Sequence, residues 1–86
     1  MTQRTFDISI ARDIMAGNRV GRILTKQGDQ VRILAFDVNG LYKLAGLIDK
    51  GDYEHVQKWT QDGKTDFRYN VRTPNDLVLE VEGGEV

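Results

Sequence analysis

The chain has 86 residues, one domain's worth and near the lower limit of what a single hydrophobic core supports. At 40% apolar and 29% charged it is too apolar and too balanced to be disordered, and the absence of cysteine excludes disulfide stapling and thiolate metal sites. Twelve Lys and Arg against thirteen Asp and Glu, a net charge of −1, argue against a protein that lives mainly by non-specific attraction to phosphate.

Residues 1–5 read as a frayed start. Arg4, Asp7, Arg12 and Asp13 break up any apolar leader, and the longest uncharged run falls well short of a membrane span. The expectation is one domain over 1–86, loose at 1–5 and 83–86, in a reducing cytoplasm. Ile8, Ala11 and Ile14 or Met15 recur at helical spacing, with Asp7 or Ser9 available as N-cap, Phe6 as a staple and Gly17-Asn18 as a stop. The spacing predicts a helix over 9–16.

The organising stretch is 19–49, read as a meander of three strands. The segment 20–25 meets a Lys26-Gln27-Gly28-Asp29 turn and 30–38 runs back. Asn39-Gly40 is then the strongest hairpin signal, since both central positions of a type I′ turn need φ > 0, and 41–49 returns. In 30–38 both parities are apolar (Val31, Ile33 and Ala35; Leu34, Phe36 and Val38), which suggests a strand covered on both faces. Gly46 in mid-strand marks a bend, a bulge or a close backbone approach, and in a small curled sheet a bend is the simplest account.

Lys50-Gly51-Asp52 reads as a turn into a fourth strand, 53–60. It is far more polar, as an exposed or edge strand would be. Asp62-Gly63 is another turn. Residues 65–73 could be strand or extended loop, Pro74-Asn75-Asp76 breaks them, and 77–82 is a last strand. The fold class expected is therefore mainly β, a small twisted antiparallel meander or barrel with one N-terminal helix.

No catalytic constellation stands out. His55 is the only histidine and Ser9 the only serine, so nucleophile-and-base and His/Cys metal arrangements both fail. Gly17, Gly21 and Gly28 lack the strand–loop–helix context of a phosphate loop. The chain reads as non-enzymatic, with no cofactor and no metal. Two softer features are present. Tyr53, Trp59, Phe67, Arg68, Tyr69 and Arg72 mix aromatic and basic side chains as single-strand binders do, although the favoured reading is that Trp59, Phe67 and Tyr69 cover the open end of the core. Arg12, Arg19, Arg22, Lys26 and Arg32 cluster with Asp13, Asp29 and Asp37 interleaved, which reads as a solvated mixed-charge face.

A wider pattern runs over most of 6–79. It comprises Phe6-Asp7, Ala16-Gly17, Thr25-Lys26-Gln27-Gly28, Val31, Phe36-Asp37-Val38, and Tyr42-Lys43-Leu44-Ala45-Gly46-Leu47-Ile48. Trp59-Thr60-Gln61-Asp62-Gly63-Lys64 and Asn75-Asp76-Leu77 complete it. In this pattern the chain resembles a group of short bacteriophage and prophage proteins of unknown function, and departs from them in its acidic Glu80-Val81-Glu82 ending. The resemblance implies a genomic setting and no activity. The expected role is that of a small accessory protein binding a protein partner, through an edge strand or through a surface including Tyr53, Trp59, Arg68, Tyr69 and Arg72. Single-stranded nucleic acid is the alternative partner, and no membrane is expected.

Overall fold

A computed structural model describes residues 2–68 and 71–82. The first helix begins where the sequence supplies a cap. Asp7 sits in extended conformation and its carboxylate accepts hydrogen bonds from the backbone N–H of Ser9 (2.9 Å) and Ile10 (3.4 Å). From there α1 runs over Ile8–Met15. Phe6 and Ala11, the two staple positions, are both buried in one cluster. The helix stops at Gly17, where Gly17 N–H bonds Ile14 C=O (3.1 Å) and Asn18 N–H bonds Asp13 C=O (2.8 Å), the paired bonds of a Schellman motif.

The remaining described elements are six strands: β1 (Thr2–Thr5), β2 (Gly21–Thr25), β3 (Val31–Ala35), β4 (Leu44–Asp49), β5 (Glu54–Trp59) and β6 (Leu77–Val81). They form two antiparallel three-stranded sheets, ordered β1-β6-β2 and β3-β4-β5. The protein is thus mainly β with one short helix, and the sheets do not close into a barrel. One core joins them: Ile23, Leu79 and Val81 of the first sheet cluster with Ile33, Leu44, Ile48 and Trp59 of the second, and Phe6, Ile10 and Ala11 belong to the same cluster.

Two corners share one construction. Thr25 N–H bonds Asp29 C=O, Gly28 N–H bonds Thr25 C=O, and Thr25 Oγ1 accepts from Asp29 N–H. Thr60, Gly63 and Lys64 repeat all three contacts in Thr60-Gln61-Asp62-Gly63-Lys64. Each corner needs left-handed backbone at its fourth residue, and Gly28 and Gly63 supply it with φ of 98° and 81°.

Five expectations are corrected. Residues 2–5 are not loose, since β1 pairs with β6 from Thr2–Val81 to Thr5–Val78, while 83–86 lie outside the described residues. The stretch 19–49 is not one meander. Beyond the Gly28 corner β2 and β3 meet only at a Leu24–Gln30 bridge, after which β2 follows β6 and β3 follows β4. Only one face of β3 is covered, with Val31 and Ile33 buried and Leu34 63% exposed. Asn39-Gly40 is not a two-residue type I′ turn, because only glycines have positive φ among the described residues. The β3–β4 connection is longer, with Val38 N–H bonding Lys43 C=O (3.0 Å). Finally, Gly46 marks a bulge and a close approach: the register slips between Ile33 and Ala35 opposite it, and a Cβ there would meet the Arg32 carbonyl oxygen and lie 2.9 Å from Ile33 Cα.

Candidate functional site

The aromatic and basic residues singled out in the sequence do not assemble into one platform. Trp59 ends β5 on its inner face, opposite Leu44, and is wholly buried. Its indole Nε1 donates to the Asn75 carbonyl at 2.8 Å, so both its ring and its polar atom are committed inside the fold. This corrects its assignment to an exposed binding surface. Tyr53 is 63% exposed, but it lies six residues up the chain from Trp59, about 20 Å along an extended strand. Arg68 is exposed and folded onto its own neighbour, with Nε 3.0 Å from Asp66 Oδ1 and Nη2 2.6 Å from Asp66 Oδ2. That fork, together with a hydrogen bond from the Arg68 N–H, lowers the Asp66 carboxyl to about 2. Arg72 is exposed in an irregular segment beside a cleft of about 370 Å³ that Phe6, Lys26, Gly63, Lys64 and Asp76 also line. Tyr69 lies outside the described residues.

The mixed-charge cluster disperses in the same way. Arg22 pairs with Glu80 across β2 and β6, Arg32 with Glu54 (3.1 Å), and Lys50 with Asp29 (2.7 Å), while Arg12 stands 5.4 Å over the Phe36 ring. His55 is exposed on β5. Among the described residues no three His, Asp or Glu side chains gather as metal ligands, and no helix is long and apolar enough to cross a membrane.

The tryptophan–turn and Asp-Leu elements meet in a polar knot that the sequence reading missed. Asp76 is 3% exposed. Its carboxylate accepts from Thr65 N–H (2.9 Å), Thr73 N–H (3.1 Å) and Thr73 Oγ1 (3.0 Å), and Thr65 Oγ1 lies 2.5 Å from Thr73 Oγ1. Burial pushes its pKa up, but the hydrogen bonds from Thr65 and Thr73 and the Lys26 charge outweigh it and hold the carboxyl below its ordinary range. The peptide group between Asp76 and Leu77 is used at both ends, with Lys26 N–H bonding Asp76 C=O (2.9 Å) and Leu77 N–H bonding Gly63 C=O (2.7 Å). The knot ties the irregular residues 64–68 and 71–76 to both corners. It is structural: the carboxylate is almost wholly buried and both of its oxygens accept hydrogen bonds from the chain itself.

Of the edge strands β1, β2, β3 and β5, the longest is β5. It pairs with β4 from Leu44–Trp59 to Asp49–Glu54, and among the described residues no strand covers its other side. Lys50 N–H bonds Tyr53 C=O (2.9 Å), which sets the parity of the hairpin. Tyr53, His55, Gln57 and Trp59 aim their backbone groups at β4, so Glu54, Val56 and Lys58 aim theirs away from it. Their side chains share the outer face as well, in line with Asp49, Leu47 and Ala45 of β4. Val56, at the centre, is 70% exposed, the highest value among the exposed large apolar side chains. The polarity of 53–60 pointed to an edge; which backbone groups it exposes depends on pairing that the sequence does not spell out.

Comparison of the chain with family models, with curated proteins and with solved structures gives no match.

Proposed function

We propose that this chain is a small non-enzymatic interaction module that docks a protein partner by adding a strand to the free edge of β5. The observation that carries this reading is a six-residue edge strand, without proline or bulge, whose central valine is exposed and whose Glu54, Val56 and Lys58 backbone groups are turned away from the sheet. Such an edge is a ready template for another strand: main-chain hydrogen bonds supply affinity and alternate side chains supply selectivity. The resemblance to phage and prophage proteins suggests a bacterial cytoplasm as the setting. The nucleic-acid alternative is disfavoured by the burial of Trp59, the internal pairing of Arg68 and the net charge of −1.

A photo-cross-linking amino acid at position 56, compared with one at the exposed Val20, tests the reading in bacterial cells. Discrete adducts to protein from position 56 and none from position 20 are the expected result. Equal labelling from both positions, or none from 56, overturns it. Titration with labelled single-stranded oligonucleotides is expected to show no binding. Micromolar binding that weakens steeply with salt would replace the protein-docking reading with the nucleic-acid one.

A further inference from the structure

We infer that the strand completing the β5 edge is β5 of a second copy of this chain, placed antiparallel about a two-fold axis through Val56. This rests on the reading of β5 as the docking edge and names its occupant. The argument is one of register. On that axis Val56 faces Val56, Glu54 faces Lys58 of the second copy, and Lys58 faces its Glu54. These three residues are the ones whose N–H and C=O point away from β4, so each facing pair is hydrogen-bonded and exchanges both of its bonds. Their side chains stand on one face, where the two valines meet at the centre and an opposite-charge pair lies on either side.

Other two-fold registers do worse. Centring on Glu54 sets glutamate against glutamate, and centring on Lys58 sets lysine against lysine. Centring on His55 or Gln57 leaves one of the three outward residues without a hydrogen-bonded partner. The strand is therefore complementary to itself in one alignment only. Two features of the single chain agree with it. The Arg32–Glu54 pair is fully on the surface, so Glu54 can face a second cation without leaving a buried charge behind. The Gln57 side chain donates to the Lys58 carbonyl (2.9 Å), a surface contact that occupies an acceptor of the free edge until a strand replaces it.

Joining the edges makes one six-stranded sheet, β3-β4-β5-β5-β4-β3, with an isologous interface. A contact of three hydrogen-bonded pairs falls below the roughly 1,000 Å² typical of stable interfaces, so the association belongs to the weak, concentration-dependent class.

Sedimentation equilibrium of the full chain from micromolar to millimolar concentration is the test. The expected result is a reversible monomer–dimer equilibrium. Hydrogen exchange at the Glu54, Val56 and Lys58 amides should slow as concentration rises, while that at Gln57 and Trp59 should not change. Glu54→Lys and Lys58→Glu each place like charges opposite one another at two points, and each should weaken the dimer about tenfold or more. An equimolar mixture of the two variants should dimerise like the parent, because every facing pair is again opposite in sign. Val56→Pro removes an N–H that no intramolecular bond uses, so it should abolish the dimer while leaving the melting temperature close to the parent's.

A parent monomeric at millimolar concentration overturns the self-pairing. So does a mixture of the charge variants that stays monomeric while both melt normally. If the chain is monomeric and the position-56 cross-linker still captures a different protein, self-pairing alone is refuted. If it is monomeric and nothing is captured, the docking-edge reading falls with it.

Discussion

The Asp76 knot makes the sharpest stability prediction, because it concentrates several hydrogen bonds on one buried carboxylate. In Asp76→Asn the amide nitrogen must face either the Thr73 N–H or the Thr65 N–H, both donors now bonded to the carboxylate at 3.1 and 2.9 Å. One buried donor loses its acceptor and meets another donor. Hydrogen bonds to charged groups contribute about 1.5–3 kcal/mol, so the variant should lose about 2–3 kcal/mol at pH 7. In a domain of this size that is on the order of 10–20 °C in melting temperature. Asp76→Ala strips the acceptor from the backbone N–H and hydroxyl of both Thr65 and Thr73 and should cost about 3–5 kcal/mol, a large part of the roughly 5–10 kcal/mol a small domain holds.

The pH dependence carries a second signature of the same knot. The folded carboxyl titrates below its unfolded value, near 3.9, so Asp76 stabilises the fold fully above that pH. The contribution is lost as pH falls through the depressed folded value. The gap between parent and Asp76→Asn should therefore be constant from pH 7 to about 5 and narrow below about 4. Urea denaturation at a series of pH values measures it. An Asp76→Asn variant within about 0.5 kcal/mol of the parent, or a gap unchanged at pH 2, would refute the argument that the ionised carboxylate holds residues 64–68 and 71–76.

Other residues test the core, the corners and the surface. Trp59→Ala should cost about 3–5 kcal/mol by denaturant unfolding, whereas Trp59→Phe should lose about 1–3 kcal/mol, mainly for the unpartnered Asn75 carbonyl. Gly28→Ala and Gly63→Ala share the cost of positive φ, about 1–2 kcal/mol, but a Cβ at Gly63 would lie 2.8 Å from the Phe6 ring while one at Gly28 meets open space. Gly63→Ala should thus be the more destabilising of the two, and equal losses would mean that the Phe6 contact yields freely. Arg68→Ala should leave the thermal midpoint unchanged and let the Asp66 pKa rise from about 2 toward its ordinary value, as followed by NMR titration.

The sequence by itself determined whatever a few adjacent residues can enforce. Asp7, the apolar spacing of Ile10, Ala11 and Ile14, and Gly17 place the helix to within a residue, because caps and period act within one or two turns. Gly28, Gly51 and Gly63 mark their corners, since positive φ is a property of the residue itself. The polar pattern of 53–60 marks an edge strand. Partner choice between strands is another kind of question. A Gly28 corner is compatible with a long hairpin, yet β2 leaves β3 after one bridge and pairs with β6, more than fifty residues along the chain. That exchange buries Ile23 beside Leu79, and the other side of β6 pairs with Thr2–Thr5. The gain comes from non-local burial that no window of sequence contains. The same reason hid the partners of Trp59 and Asp76: the tryptophan reads as cover for the core and the aspartate as part of a chain breaker, but Asn75, Thr65 and Thr73 are brought to them only by the tertiary structure.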